Sequence, residues 1–292
     1  MKTYIDCIPC LFKQVLDSSR MYTASPVVQE RLMREVMGWC RKLDMSKPIP
    51  VMGRQIYRRL RRITGVADPY STHKRAHNRM ALRLLPGLRR KLAAARDPFG
   101  LAVKISMAGN IIDMGGAGDV SLRGVRRALG QALTEPVKGD IRAFRAAARA
   151  AKDILYITDN AGEIVFDRLL IEQLGPERVT VAVRGAPVLN DAIMADARAA
   201  GLHKICAALT DSGSDAPGTI LADVPPRFMK LFKRADMVIA KGMGNYETLC
   251  DAPRPVYFLF RAKCPMVAKH AGVRVGDHVL AGGTRKRKVR AV

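Results

Sequence analysis

Long apolar runs are missing from this chain of 292 residues. No stretch approaches the roughly twenty residues that span a bilayer. The first residues also lack a basic segment followed by an apolar one, so no export signal is expected and the reading is a cytoplasmic protein. Acidic residues are scarce: 26 Asp and Glu face 50 Lys and Arg, a net charge of +24. Such an excess suits either a polyanionic partner such as nucleic acid or an anionic small substrate. Aromatics make up only 5% of the chain, which leaves few stacking platforms for single strands. The basic residues are spread over several helical stretches (54–62, 83–91, 142–149) and a tail at 284–290. They are read as solvated faces, and nucleic acid is not the favoured partner. The six cysteines are scattered over a large chain and do not form the dense pattern of a disulfide framework.

A second C-x-x-C is absent as well. Cys7-Ile8-Pro9-Cys10 has the spacing of half a zinc or iron–sulfur site, or of a redox pair. The missing ligands of a four-thiolate site would have to come from Cys40 or Cys264 through folding. Otherwise Cys7 and Cys10 are buried thiols at a helix start, a common fate of free cysteine.

Nearly half the chain is apolar, enough for a large core. From 11 to 92 the periodicity is helical, with Phe12, Val15, Leu16 and Ser19 on one face and Leu32, Val36 and Cys40 on another. Ser25-Pro26, Pro48-Ile49-Pro50 and Gly65 to Pro69 punctuate it. Residues 1–95 are therefore expected to form an N-terminal helical subdomain. Residues 96–283 are expected to form a three-layer α/β/α core around a mostly parallel sheet, with 284–292 as a basic tail. Short apolar runs at 154–157, 179–183, 204–209, 237–240 and 255–260 supply the strands, and 142–151, 194–197 and 228–235 supply helices between them. The end of the core, 268–280, reads as a short helix and a strand.

The chemistry gathers where those strands end. Thr158-Asp159-Asn160-Ala161-Gly162-Glu163 lies between the strand run 154–157 and the helical run 164–171. Ligands of open α/β sheets bind at that carboxyl edge, and a helix N-terminus there offers unpaired N–H groups to an anion. Asp and Asn are also ordinary N-caps. A second strand end, Arg184-Gly185-Ala186-Pro187-Val188-Leu189-Asn190-Asp191, repeats the logic. Asp191 meeting Asp159 and Asn160 would make a hard, all-oxygen site of the kind that Mg²⁺ or Mn²⁺ accepts. Further along, Asp211 and Ser212 open a hydroxyl-rich loop that suits either anion binding or turn chemistry. Lys241 beside Gly242 suits a phosphoryl oxygen. Gly109-Asn110 is either a helix C-cap or the start of a glycine-rich approach to a ligand.

Taken together, Asp6-Cys7-Ile8-Pro9-Cys10, Thr64-Gly65-Val66-Ala67-Asp68-Pro69-Tyr70, Asp97-Pro98-Phe99 and Gly109-Asn110-Ile111-Ile112-Asp113 resemble the metal-dependent damage-control phosphatase family, in its prokaryotic branch with an N-terminal C-x-x-C. The resemblance continues through Asp159 to Glu163, Arg184 to Pro187, Asn190-Asp191 and Lys241-Gly242-Met243-Gly244-Asn245-Tyr246-Glu247. It implies a divalent ion (Mg²⁺, Mn²⁺, Co²⁺ or Ni²⁺) on Asp159, Asn160 and Asp191, and release of phosphate from small metabolites such as sugar phosphates, nucleotides or damaged cofactor fragments. It also places Asn110 and Lys241 near the phosphate, with Glu163 and Asn245 as further candidates. The helical subdomain would shape substrate choice, and Asp68, Tyr70, Lys74 and Asn78 are its candidates. The basic tail and Cys250 are not features of that family.

Overall fold

The fold is built outward from β2 (Ile154–Ile157), whose four residues are all buried. A computed structural model describes residues 1–109 and 122–283. Parallel neighbours flank β2 on both sides: β3 (Val179–Val183) pairs Ala182 with Ile157, and β5 (Met237–Lys241) pairs Ala240 with it. Beyond β3 lies β4 (Ala208–Asp211). Beyond β5 come β6 (Tyr257–Arg261), the antiparallel β7 (His278–Gly282) and the short β1 (Val137–Lys138), in the order β1-β7-β6-β5-β2-β3-β4. The chain winds one way from β2 to β4 and then returns to build β5 on the other flank. The end of β2 is therefore the topological switch point of the sheet, where ligands of such folds bind.

Alternation along the strands feeds two helical layers. Ile154, Tyr156, Val181, Val183 and Ile239 pack under α4 (Ser71–Ala93), α5 (Pro98–Ala108), α6 (Leu122–Thr134), α7 (Ile141–Ala150), α8 (Glu163–Leu174) and α9 (Met194–Ala199). Leu155, Ile157, Val238, Phe258 and Phe260 pack on the other face against α10 (Pro226–Arg234), α11 (Gly242–Leu249) and α12 (Pro265–Ala271). This is the expected α/β/α sandwich. Polar caps start several of these helices: Asp97 accepts from the Gly100 N–H before Pro98, and Asp140 from that of Ala143.

A third, smaller cluster joins α1 (Cys7–Tyr22), α2 (Pro26–Cys40) and α3 (Ile49–Thr64) through Leu11, Val15, Leu32, Val36, Ile56 and Leu60. Val188, from the loop after β3, inserts into this cluster, so the three helices sit over the carboxyl edge of the sheet. Arginines of α3 fasten them there. Arg58 and Arg61 hold Asp215, Arg54 holds Asp223, and Arg61 also donates to the Pro187 carbonyl at 2.8 Å. Packing at this seam is close: a Cβ on Gly53 would lie 3.2 Å from Pro217.

Three stretches differ from the sequence-based expectation. α4, expected within the helical subdomain 1–95, packs Ala81, Leu84, Leu85, Leu88 and Leu92 into the core of the sheet, and only α1 to α3 form the separate cluster. The strand expected at 204–209 lies at Ala208–Asp211, because pairing with Thr180 to Val183 sets its register. Gly242-Met243-Gly244, read only as the end of a strand, is the first turn of α11. Among the described residues, no helix is long and apolar enough to cross a membrane.

Candidate active site

The loops after β2 and β3 are stitched to each other before any side chain acts. Asn160 and Asp191 form an antiparallel bridge, the Ala161 N–H donates to the Asn190 carbonyl at 2.9 Å, and the Ala192 N–H donates to the Asp159 carbonyl at 2.7 Å. Asp159, Asn160 and Asp191 therefore do meet at the sheet edge. They share one cleft of about 230 Å³, whose other walls include Gln14, Pro50 and Gly53 of α1 and α3, and Met243, Gly244 and Glu247 of α11.

The amide of Asn160 has a fixed sense. Its nitrogen donates to Asp159 Oδ2 at 2.9 Å and to Glu163 Oε2 at 3.2 Å, which commits both N–H bonds and leaves the oxygen as its acceptor. Burial, with the charges of Asp191 and Glu163 nearby, pushes the Asp159 carboxyl well above the ordinary carboxylate range, against the pull of Arg184 and Lys241. Arg184 is buried behind the pair. Its Nε donates to Asp191 Oδ2 at 2.6 Å, and its Nη2 lies 3.6 Å from Asp159 Oδ1, too long for a hydrogen bond. Two aspartates and an amide oxygen with a shortage of positive charge fit a hard divalent cation. Among the described residues, no three His, Cys, Asp or Glu side chains gather as a metal group, so such a site depends on the Asn160 oxygen.

Gly242 makes room for this arrangement. It has φ +77°, and a Cβ there would fall inside the Asp159 carboxylate. Only glycine serves both demands.

Lys241 is placed differently from its expected role at a phosphoryl oxygen. Strand alternation turns it to the face of Met237 and Ile239, beneath α5 and α8, and it is fully buried. Its ammonium donates to the Ser106 carbonyl at 3.0 Å, Glu163 Oε1 at 2.6 Å and Asp167 Oδ1 at 2.5 Å, which uses all three protons. Burial alone would lower its pKa, but the charges of Asp167 and Glu163 outweigh that and hold it raised and protonated. Lys241 thus steadies Glu163, and through Glu163 the Asn160 amide.

Asn245 likewise has a tying role. It donates to the carbonyls of Thr158 and Lys241 and accepts from Arg184 and Thr219, joining the ends of β2 and β5. The helix start after β2 does not present open donors either: the Gly162 N–H donates to Asn78 Oδ1 at 2.7 Å, and that of Ile164 to the Asn160 carbonyl. Asn78 is itself held by Asp196, and Lys74 by Asp68. Asn78 thus braces the loop after β2, and none of these helical candidates is part of the cleft wall. Asp211 pairs with Arg227 and caps Gly213, and Ser212 bonds within its own turn, so that loop is a structural latch. Asn110 lies outside the described residues. All six cysteines are free; Cys7 is buried, which raises its thiol pKa, and Cys10 is exposed.

Three charged cleft residues were given no site role in the sequence-based reading: Glu247, Arg261 and Lys263. The one signal for Glu247 was its spacing of four from Met243, visible only once 242–249 is known to be helical.

Residues 3–279 match the family model described as the damage-control phosphatase ARMT1-like domain. A damage-control phosphatase of Archaeoglobus fulgidus is 35% identical over 286 residues, covering 94% of this chain and 96% of its own. A protein of Methanocaldococcus jannaschii without an assigned activity is 34% identical, covering 94% of this chain and 93% of its own. The crystal structure of a DUF89 family protein from Pyrococcus horikoshii superposes with a TM-score of 0.88 at 31% identity, covering 97% of this chain and all of that one.

Proposed function

Because this chain belongs to the damage-control phosphatase ARMT1-like family, we propose that it releases phosphate from a small phosphorylated metabolite in the cleft beside Asp159, with a divalent cation on Asp159, Asp191 and the Asn160 oxygen. The observation that carries the cation reading is the fixed sense of the Asn160 amide. With both N–H bonds spent on Asp159 and Glu163, its oxygen completes an all-oxygen donor set at the switch point of the sheet. When bound, a divalent ion offsets the charge of the two aspartates and of phosphoryl oxygens, and lowers the pKa of water beside it.

The chain's own groups do the rest. The first turn of α11, with Met243 and Gly244 on the cleft wall, is the helix start that opens on the site, and its partial positive charge suits phosphate. Arg261 and Lys263 add positive charge to the same wall and favour anionic substrates. Asp159 supplies a carboxylate at the reacting phosphorus, and the amide bridge between the two loops keeps it and Asp191 from drifting apart. Sugar phosphates, nucleotides and phosphorylated cofactor fragments are the substrate classes that fit an anion-selective cleft of this size.

Protein stripped with EDTA is expected to release no phosphate from a panel of these compounds, and to regain release with Mg²⁺, Mn²⁺, Co²⁺ or Ni²⁺. Equal rates with and without EDTA would overturn the cation site.

Gly242→Ala tests the seat of Asp159. Its methyl group would displace the carboxylate by about 1 Å or more, and a misplacement of that size costs on the order of a hundredfold in turnover. The positive φ adds a stability loss of about 1–2 kcal/mol, read from urea unfolding. Turnover within twofold of wild type would show that Asp159 need not stand where it does.

A further inference from the structure

The two aspartates of the cleft have partners: Asp191 has Arg184, and Asp159 has the Asn160 amide. Glu247, on the same cleft wall, is different. Among the described residues its carboxylate makes no hydrogen bond and no ion pair. It stands one helical turn beyond Met243 and Gly244, the residues of α11 that line the cleft with it. A part-buried carboxyl group that forms no ion pair favours its protonated form.

The charged groups around Glu247 come from several elements. The N-terminal ammonium of Met1 donates to the Glu247 carbonyl at 2.9 Å and pairs with Asp251. The Cys7 thiol of α1 senses its charge. Arg261 and Lys263 from the end of β6, and Asp159 and Asp191 from the loops after β2 and β3, line the same cleft. Burial pushes the Glu247 carboxyl up to about 7, opposed by the Met1 ammonium. Acid and base forms are then both populated near neutral pH, the condition for efficient proton transfer.

We propose that Glu247 is the general acid of the reaction, donating its proton to the leaving oxygen of an alkyl phosphate held in this cleft; the assignment rests on the phosphatase reading above. As the bond from phosphorus to the leaving oxygen breaks, the Glu247 proton passes to that oxygen and the alcohol departs neutral. Water supplies the new oxygen on phosphorus, and one of its protons returns Glu247 to the acid form. The cleft thus has two functional parts, with Asp159, Asn160 and Asp191 at the phosphoryl group and Glu247 at the leaving group. Compounds whose leaving oxygen is an alkoxide need that proton, whereas a nitrophenolate leaves without it.

The test is Glu247→Gln beside wild type, on glycerol phosphate and on p-nitrophenyl phosphate, with the divalent ion that supports turnover. The ratio of alkyl to aryl turnover is expected to fall by about a hundredfold, the usual contribution of a positioned acid. The alkaline limb of the glycerol phosphate pH profile should vanish with it, since that limb marks loss of the acid form. Equal losses on both compounds, or a wild-type alkaline limb in the variant, would overturn the assignment. Wild-type protein inert on both would overturn the phosphatase reading itself, and this proposal with it.

Discussion

Asp159→Asn is expected to abolish phosphate release, by a factor of about a thousand or more, while making the protein harder to unfold. On the proposed function, the loss follows from removing the carboxylate beside the phosphoryl group and weakening the oxygen set that would hold the cation. The gain has a separate cause. In the metal-free protein Asp159 is a buried charge pressed by Asp191 and Glu163, and those forces raise its pKa. Stability linked to such a group has a definite sign: the unfolded chain ionises Asp159 at its ordinary pKa, the folded chain only above the raised one. Ionisation therefore drains folding stability as pH climbs from the ordinary value through the raised value. The amide variant carries no charge to bury, keeps an oxygen for the Asn160 N–H, and escapes that loss. Urea titrations of the metal-free proteins at pH 5 and pH 8 check it: the gap in midpoint should widen at the higher pH. An unchanged gap, or a variant that keeps its turnover, counts against the placement of Asp159.

Lys241→Met should produce the opposite pairing, a large loss of stability with activity falling only as far as the folded fraction and the Asn160 geometry fall. Removing the ammonium leaves Glu163 and Asp167 facing each other in a buried space without a counter-charge. Breaking a buried pair by deleting one partner costs about 3–5 kcal/mol. A compensating substitution, Asp167→Leu in the same chain, removes one of the stranded charges and should restore part of that loss. A variant with wild-type stability and no turnover would instead return Lys241 to the phosphate, where its position at a strand end first suggested it belonged.

That reversal shows what sequence can and cannot deliver here. The strand runs at 154–157, 179–183 and 237–241 are buried on both faces, so their β-branched and apolar residues announce them. That Asp159, Asn160 and Asp191 meet at the sheet edge was legible because they follow closely on such strands. Lys241 was not, because being at a strand end does not say which face the residue takes, and the alternation from Met237 sends it under α8. The strand Ala208–Asp211 was misplaced because it is an edge strand with part-exposed residues, so its bounds come from β3 and leave little trace in its own composition. α11 was hidden by its two glycines, one needed for the Asp159 carboxylate and the other for the approach of Pro217. Glycine normally argues against a helix, and Glu247 was hidden along with it. The reach of Arg54, Arg58 and Arg61 to Asp215 and Asp223 spans more than half the chain, beyond what any local pattern encodes.

The three helices over the cleft also separate two kinds of change that can befall this protein as its lineage diverges. Asp159, Asn160 and Asp191 hang from the central strands, where almost any alteration disturbs packing on both sides of the sheet. Gln14, Pro50 and Gly53 hang from helices with a small core of their own, fastened at the rim by Val188 and the arginines of α3. A substitution in that roof reshapes the cleft without moving Asp159, Asn160 and Asp191. Related chains that keep the same sheet edge are then free to exchange one phosphorylated compound for another through the roof alone. Differences in what they process should be written chiefly in α1 and α3.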